Sequence, residues 1–153
     1  MLARAYSKVL DPVRFETKPT YRTNLGIDIQ AKMGEPVVAV MDGIVKEVGT
    51  DVDDQKGKMV LLDHQNGLFT KYSNLDEKIL VKKGDKVTKK QQIAIVGNTS
   101  LNSYKEVYGS HLHFQVLQLK KVDTTKVDTI KYENIDPAKY VKYDKYQHKE
   151  VKQ

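Results

Sequence analysis

A chain of 153 residues is long enough for one domain with its own core, and 39% hydrophobic with 30% charged residues is the balance of a globular protein. The absence of cysteine excludes a disulfide framework, a thiolate metal site and a cysteine nucleophile. A net charge of +6 suits nucleic acid, an anionic cell-wall polymer or an acidic protein partner. Lys78, Lys82, Lys83, Lys86, Lys89 and Lys90 alternate with Val81, Val87 and turn residues rather than with stacking aromatics. Lysine on solvated strand faces is therefore favoured, and no nucleic-acid partner is expected. No apolar run is long enough to cross a membrane, and the start lacks a signal peptide's apolar core. As written the chain reads as soluble, and equally as the soluble part of a protein anchored through an N-terminal segment outside this sequence.

Residues 1–22 read as an irregular lead-in, because Pro12 and Pro19 discourage helix. From Gly26 onward, short runs rich in Val, Ile and Tyr alternate with glycine turns, and strands are predicted over 27–29, 36–41, 44–48, 59–63, 68–73, 92–96 and 111–119. Asp42-Gly43 predicts a hairpin between apolar runs, and Gln65-Asn66-Gly67 a second. Gly34-Glu35-Pro36-Val37 is echoed by Gly84-Asp85-Lys86-Val87, which suits two similar half-motifs. Nothing over 26–119 sustains helical periodicity, so the domain is read as all-β. Residues 120–132 suggest a hairpin extension. Asp136-Pro137 can open one helical turn through Tyr140, with Asp136 as its cap. Residues 142–153 form a charged tail, which leaves 23–141 as the domain.

Two of the four histidines lie at i and i+2 in His111-Leu112-His113-Phe114. On a strand both imidazoles point the same way, a pairing suited to metal binding or proton transfer, although two surface histidines satisfy the spacing equally. Asp28 sits between Ile27 and Ile29 at a strand start. A carboxylate buried there needs a metal or an imidazole as partner; an exposed one can simply bond turn amides.

Over 26–114 the chain resembles the LytM/lysostaphin family of zinc endopeptidases, which cut peptide cross-links in bacterial cell walls. The matching pieces are Gly26-Ile27-Asp28-Ile29, Gly34-Glu35-Pro36-Val37, 39–45, 63–67, Tyr72-Ser73-Asn74-Leu75, Gly84-Asp85-Lys86-Val87 and His111-Leu112-His113-Phe114, and 136–141 is similar to the family's closing segment. The resemblance implies a two-layer antiparallel β-sandwich of the duplicated hybrid-motif type with little helix. It also implies a zinc held by His-x-x-x-Asp and by the second histidine of His-x-His. The first histidine of that pair, with another in a Tyr-x-His-Leu segment, handles the water and the transition state.

On this pattern Asp28 and His113 are remnant metal ligands and His111 a remnant catalytic residue. Asn24 stands where the third ligand belongs, and Asn74 where the Tyr-x-His-Leu histidine belongs. An amide oxygen is a weaker zinc ligand than imidazole, and Asn74 cannot shuttle a proton. His64 reads as structural. No cofactor is expected, zinc binding only weakly if at all, and no active catalytic residue.

Within the resemblance, the sporulation subgroup of the SpoIIQ type shows this kind of decay. It implies a catalytically inactive, extracytoplasmic protein-binding module of the forespore membrane, facing the space toward the mother cell. The implied partner is of the SpoIIIAH type, with peptidoglycan a further candidate. The alternatives are a zinc-dependent cell-wall endopeptidase and an activator of a cell-wall amidase.

Overall fold

The computed structural model describes residues 2–4, 7–12, 21–24, 26–51, 56–100, 111–120, 131–137, 140–141 and 144–145, with side chains over 26–51, 56–100, 111–119, 132–137 and 140–141. The strands are β1 (Leu2–Arg4), β2 (Ser7–Pro12), β3 (Tyr21–Asn24), β4 (Ile27–Gln30), β5 (Pro36–Val38), β6 (Gly43–Asp51), β7 (Gly57–Asp63), β8 (Leu68–Leu75), β9 (Lys86–Val87), β10 (Gln92–Ile95), β11 (His111–Lys120), β12 (Lys131–Ile135) and β13 (Asp144–Lys145). No α-helix occurs among the described residues.

Nine strands form one sheet in the order β13-β1-β4-β11-β8-β7-β6-β9, with β12 added to β11. The pairings are antiparallel except β1 with β13. A second small sheet, β5 with β10, packs against it. Val37, Ala39, Ile93 and Ala94 from the small layer are buried in one cluster with Ile27, Val60, Leu62, Tyr72, Phe114 and Val116 from the large one. The fold is the expected all-β, two-layer arrangement.

Three local expectations are corrected. The lead-in and the tail both carry strands, since Ala3 pairs with Ile29 and Leu2 with Asp144. Pro12 closes β2 in a two-stranded ribbon, where a missing N–H is tolerated, so proline excluded helix there without excluding strand. Asp42-Gly43 does not turn a hairpin: β5 pairs with β10, whereas β6 pairs with β7 and β9. Gly43 is needed for another reason. A Cβ there would meet the Asp63 carbonyl at 2.6 Å and His64 Nδ1 at 2.9 Å. The second hairpin forms as expected, joining β7 to β8 with Gln65 at φ 62° and Gly67 at φ 85°. Tyr140 N and Val141 N both donate to the Pro137 carbonyl, which makes the single turn expected there.

The sequence echo is a structural repeat. Gly34 and Gly84 share the left-handed backbone, at φ 90° and 93°. Lys32 N donates to Glu35 Oε2 at 3.1 Å, and Lys82 N donates to Asp85 Oδ2 at 3.0 Å. Each turn then docks on a neighbouring valine through two backbone bonds: Gly34 N to Val96 O with Val96 N to Glu35 O, and Gly84 N to Val45 O with Val45 N to Asp85 O. Val37 and Val87 follow as buried residues, so each turn delivers one valine to the core.

A buried polar chain ties the start of β6 to the sheet. The Asp42 carbonyl can only accept, so His64 Nδ1, 2.8 Å away, carries the proton. In the neutral ring Nε2 then accepts from the Thr70 hydroxyl at 2.7 Å. The Thr70 and Tyr72 hydroxyls are bonded at 2.9 Å, and Val40 N–H donates to the Tyr72 oxygen at 3.1 Å. His64 thus holds the place of a structural residue. Burial pushes the Tyr72 phenol up to about 12, and its hydrogen bonds with Thr70 and Val40 act the other way. A phenol whose folded pKa exceeds its unfolded value contributes stability that is complete below pH 10 and lost as pH rises toward 12. That loss reaches about 3 kcal/mol. Urea unfolding of the wild type and of Tyr72→Phe across pH 9 to 12 checks it: the wild type falls more steeply, and parallel curves refute the assignment.

Candidate metal-binding site

β4, β11 and β8 lie side by side, and their register sorts the side chains. Asp28 faces His113 on β11, His113 faces Ser73 on β8, and Gln115 faces Lys71. Residues directly opposite in antiparallel strands share a face. Asp28, His113, Ser73, Gln115 and Lys71 therefore line one side of the sheet, with His111 two residues before His113. Ile27, Phe114, Tyr72 and Val116 project to the apolar core on the other side. All members of the polar row are buried.

Inside the row several groups are bonded in pairs, and the Ser73 hydroxyl is buried without a hydrogen-bond partner. His113 Nδ1 lies 2.6 Å from Asp28 Oδ1 and donates to it. Burial alone would raise the Asp28 pKa, but this hydrogen bond and the electrostatic pull of His113, His111 and Lys56 outweigh it. The carboxyl is held well below the usual carboxylate range. Farther along, Lys71 Nζ lies 2.9 Å from Asp51 Oδ1, and Gln115 Nε2 donates to Asn134 Oδ1 at 2.8 Å.

The site brings Asp28, His111 and His113 together on one face. Asn24 lies on the adjoining β2–β3 ribbon, its backbone in register with Ser7, and its side chain falls outside the described residues. Among the described residues no three His, Cys, Asp or Glu side chains form a group able to hold a metal ion. Of the three ligand positions that the family resemblance implies, the described side chains supply Asp28 and His113, which are bonded to each other, and the side chain of Asn24 lies outside them. A neutral amide at position 24 is a weaker zinc ligand than an imidazole.

Asn74 has its own work. It is fully buried, at φ 61°, and its side chain bridges three segments. Nδ2 donates to the His111 carbonyl at 2.8 Å and, more weakly, to Gly97 O at 3.4 Å, while Oδ1 accepts from Ser100 N at 2.9 Å. Its backbone N donates to Lys56 O, and its carbonyl accepts from Gly97 N. The residue is a clip that fixes the end of β8 to the strand carrying the histidines.

The profile of peptidase family M23 matches residues 22–129. The chain belongs to peptidase family M23. Stage II sporulation protein Q of Bacillus subtilis is 36% identical over 99 residues, covering 63% of this chain and 33% of that protein. The peptidoglycan DD-endopeptidase ShyA of Vibrio cholerae is 39% identical over 92 residues, covering 60% of this chain and 20% of that protein. Among solved structures, LytU has a TM-score of 0.62 at 26% identity over 88% of this chain and 79% of that one. The catalytic domain of lysostaphin from Staphylococcus simulans has a TM-score of 0.60 at 26% identity, covering 77% and 78%. The chain spans about a third or less of the length of these curated relatives.

In this M23 domain Asp28, His111 and His113 share one face of the sheet, and Asn74 sits at the end of the neighbouring strand. Sequence reasoning missed Ser73, Lys71 and Gln115, although the two-residue period from Asn74's neighbour and from His113 places them on the same face. It also missed the clip, whose partners on the 97–100 segment have no sequence signal. Asparagine and histidine both tolerate the left-handed backbone, so conformation alone permits either at position 74. A neutral imidazole offers one N–H and one acceptor, fewer donors than the amide uses here. Asn74→His is expected to cost about 1–2 kcal/mol, and Asn74→Ala, which adds left-handed strain, about 2–4 kcal/mol. Chemical denaturation measures both, and an Asn74→Ala protein as stable as wild type rules the clip out.

Proposed function

We propose that this M23 domain is catalytically silent and serves as an extracytoplasmic protein-binding module, in the manner of the SpoIIQ subgroup at the forespore membrane, with a partner of the SpoIIIAH type. The direct bond between His113 Nδ1 and Asp28 Oδ1 carries the reading. It gives a buried carboxylate a hydrogen-bond partner without a metal. The Asn74 clip supports it, because the acid–base position is committed to holding the fold together. The 36% identity to stage II sporulation protein Q and the presence of lipoproteins such as YgeR of Escherichia coli among the relatives support an extracytoplasmic setting.

A surface for such a partner lies on the side of the sheet away from the polar row. A cavity of about 260 Å³ there is lined by Ile29, Pro36, Val37, Val38, Leu112 and Val141 among others. Val38 is exposed at its rim, and an apolar recess of this kind gives a partner side chain an anchor. The second reading, a zinc-dependent endopeptidase, draws on the identity to ShyA and on the retained Asp28, His111 and His113.

Zinc titration by calorimetry separates the two. The wild type is expected to take up no stoichiometric, tight zinc at neutral pH, and Asn24→His to bind substantially more tightly by completing a three-ligand set. Tight one-to-one binding by the wild type, with release of fragments from isolated cell walls, overturns the silent-module reading. Cross-linked capture from sporulating cells tests the partner: an extracytoplasmic protein recovered by wild type and lost with Val38→Asp is the expected result. Repeated recovery of none counts against it.

A further inference from the structure

The outer edge of the large sheet is built as a cation track. Lys78, Lys82, Lys83, Lys86, Lys89 and Lys90 are all exposed, against one acid, Asp85, over residues 78–90. Of the neighbouring acids, Glu77 is exposed, and the other three are turned to the backbone. Asp76 Oδ1 accepts from Lys78 N at 2.9 Å, Asp85 Oδ2 from Lys82 N at 3.0 Å, and Asp42 Oδ1 from Lys89 N at 2.6 Å. Among the described residues none of the six ammonium groups meets an acid in an ion pair. The same carboxylates that could neutralise the lysines instead rigidify the turns that carry them.

The track is fixed to the fold along its length. The turn at 82–85 is bonded to Val45, β9 pairs with Gly43 and Ile44 of β6, and the turn at 88–91 is held by Lys90 N to Ala39 O and Ala39 N to Gln91 O. Lys90 sits at φ 72°, a left-handed position where glycine or asparagine is the ordinary choice. From Lys82 to Lys90 the chain spans at most roughly 30 Å.

We infer that this edge binds a linear phosphodiester polymer of the cell wall, of the poly(glycerol phosphate) kind. Residues 76–91 contain no arginine and no aromatic residue, which removes the stacking platform and the bidentate fork that nucleic acid recognition uses. Leu80 is the one large hydrophobic of the segment that is well exposed, so the surface lacks the apolar anchor of a protein interface. What it offers is a set of exposed point charges on β9 and on the turns flanking it, a match for a flexible chain with a charge on every repeat rather than for a planar bilayer. The inference draws on the proposed function only for the extracytoplasmic setting. Failure to bind wall polymer leaves the partner-binding reading untouched, and loss of the partner leaves this one untouched.

The test is fluorescence anisotropy of the full chain with labelled poly(glycerol phosphate), alongside oligo(dT), poly-glutamate and phosphatidylglycerol vesicles at equal charge. Binding to poly(glycerol phosphate) is expected to exceed the other three and to fall steeply with added salt. Lys83→Glu/Lys89→Glu is expected to weaken it tenfold or more, whereas Lys32→Glu/Lys46→Glu, with the same change in net charge, leaves it within about twofold. Thermal melting confirms that both variants are folded. No binding at low salt overturns the inference, as expected if the lysines serve only to block edge-to-edge pairing. Equal weakening in the two variants, or equal or tighter binding of any of the other three ligands, overturns it as well.

Discussion

His113 faces Asp28 on one side and Ser73 on the other, and this register of β11 between β4 and β8 sets the character of both faces of the sheet. A one-residue slip would turn Phe114 and Val116 out of the core and drive His113 and Gln115 into it. The apolar side resists the slip through burial of Ile27, Tyr72, Phe114 and Val116. The polar side resists it through groups that cannot be moved one at a time. Asp28 is bonded to His113, and Lys71 to Asp51, within the buried row. Losing one partner of such a pair costs more than the pair contributes intact.

The same logic explains how a hydrogen-bonding asparagine comes to stand where the family pattern has histidine. At the end of β8 the backbone enters the left-handed region, and the carbonyls of His111 and Gly97 and the amide of Ser100 all converge on position 74. A primary amide has two donors and an acceptor in one plane, which matches that arrangement. Asn74 therefore supplies connectivity between the 97–100 segment and β11.

Much of this was legible in the sequence, and the parts that were not share a cause. Period-two alternation marked the strands that carry the core, because burial on one face is written into each strand separately. The repeated Gly-acid-x-Val turn was legible because its defining bonds lie within four residues. The Asp28 partnership followed from a buried carboxylate between two isoleucines and from two histidines on one strand face. Edge strands in the lead-in and tail escaped notice because their residues are selected by backbone pairing with distant segments, not by an apolar pattern. Asp42-Gly43 imitated a hairpin signal while its glycine answered to the Asp63 carbonyl, 20 residues away along the chain. The Asn74 clip depends on residues up to 37 positions distant, and nothing local encodes that.

This bears on how the surviving His-x-His and aspartate should be weighed. In an M23 domain their presence suggests chemistry, but in this fold Asp28, His111 and His113 have structural employment that is independent of any metal. Asp28 and His113 neutralise each other's burial, and the His111 carbonyl receives the Asn74 clip through its backbone, whatever its ring does. Removing Asp28 or His113 would strand its partner in a buried setting, so each stabilises the other's place in the sheet. The Asp28–His113 bond therefore accounts for those two residue types by protein stability, whereas the bond to the His111 carbonyl makes no demand on its side chain.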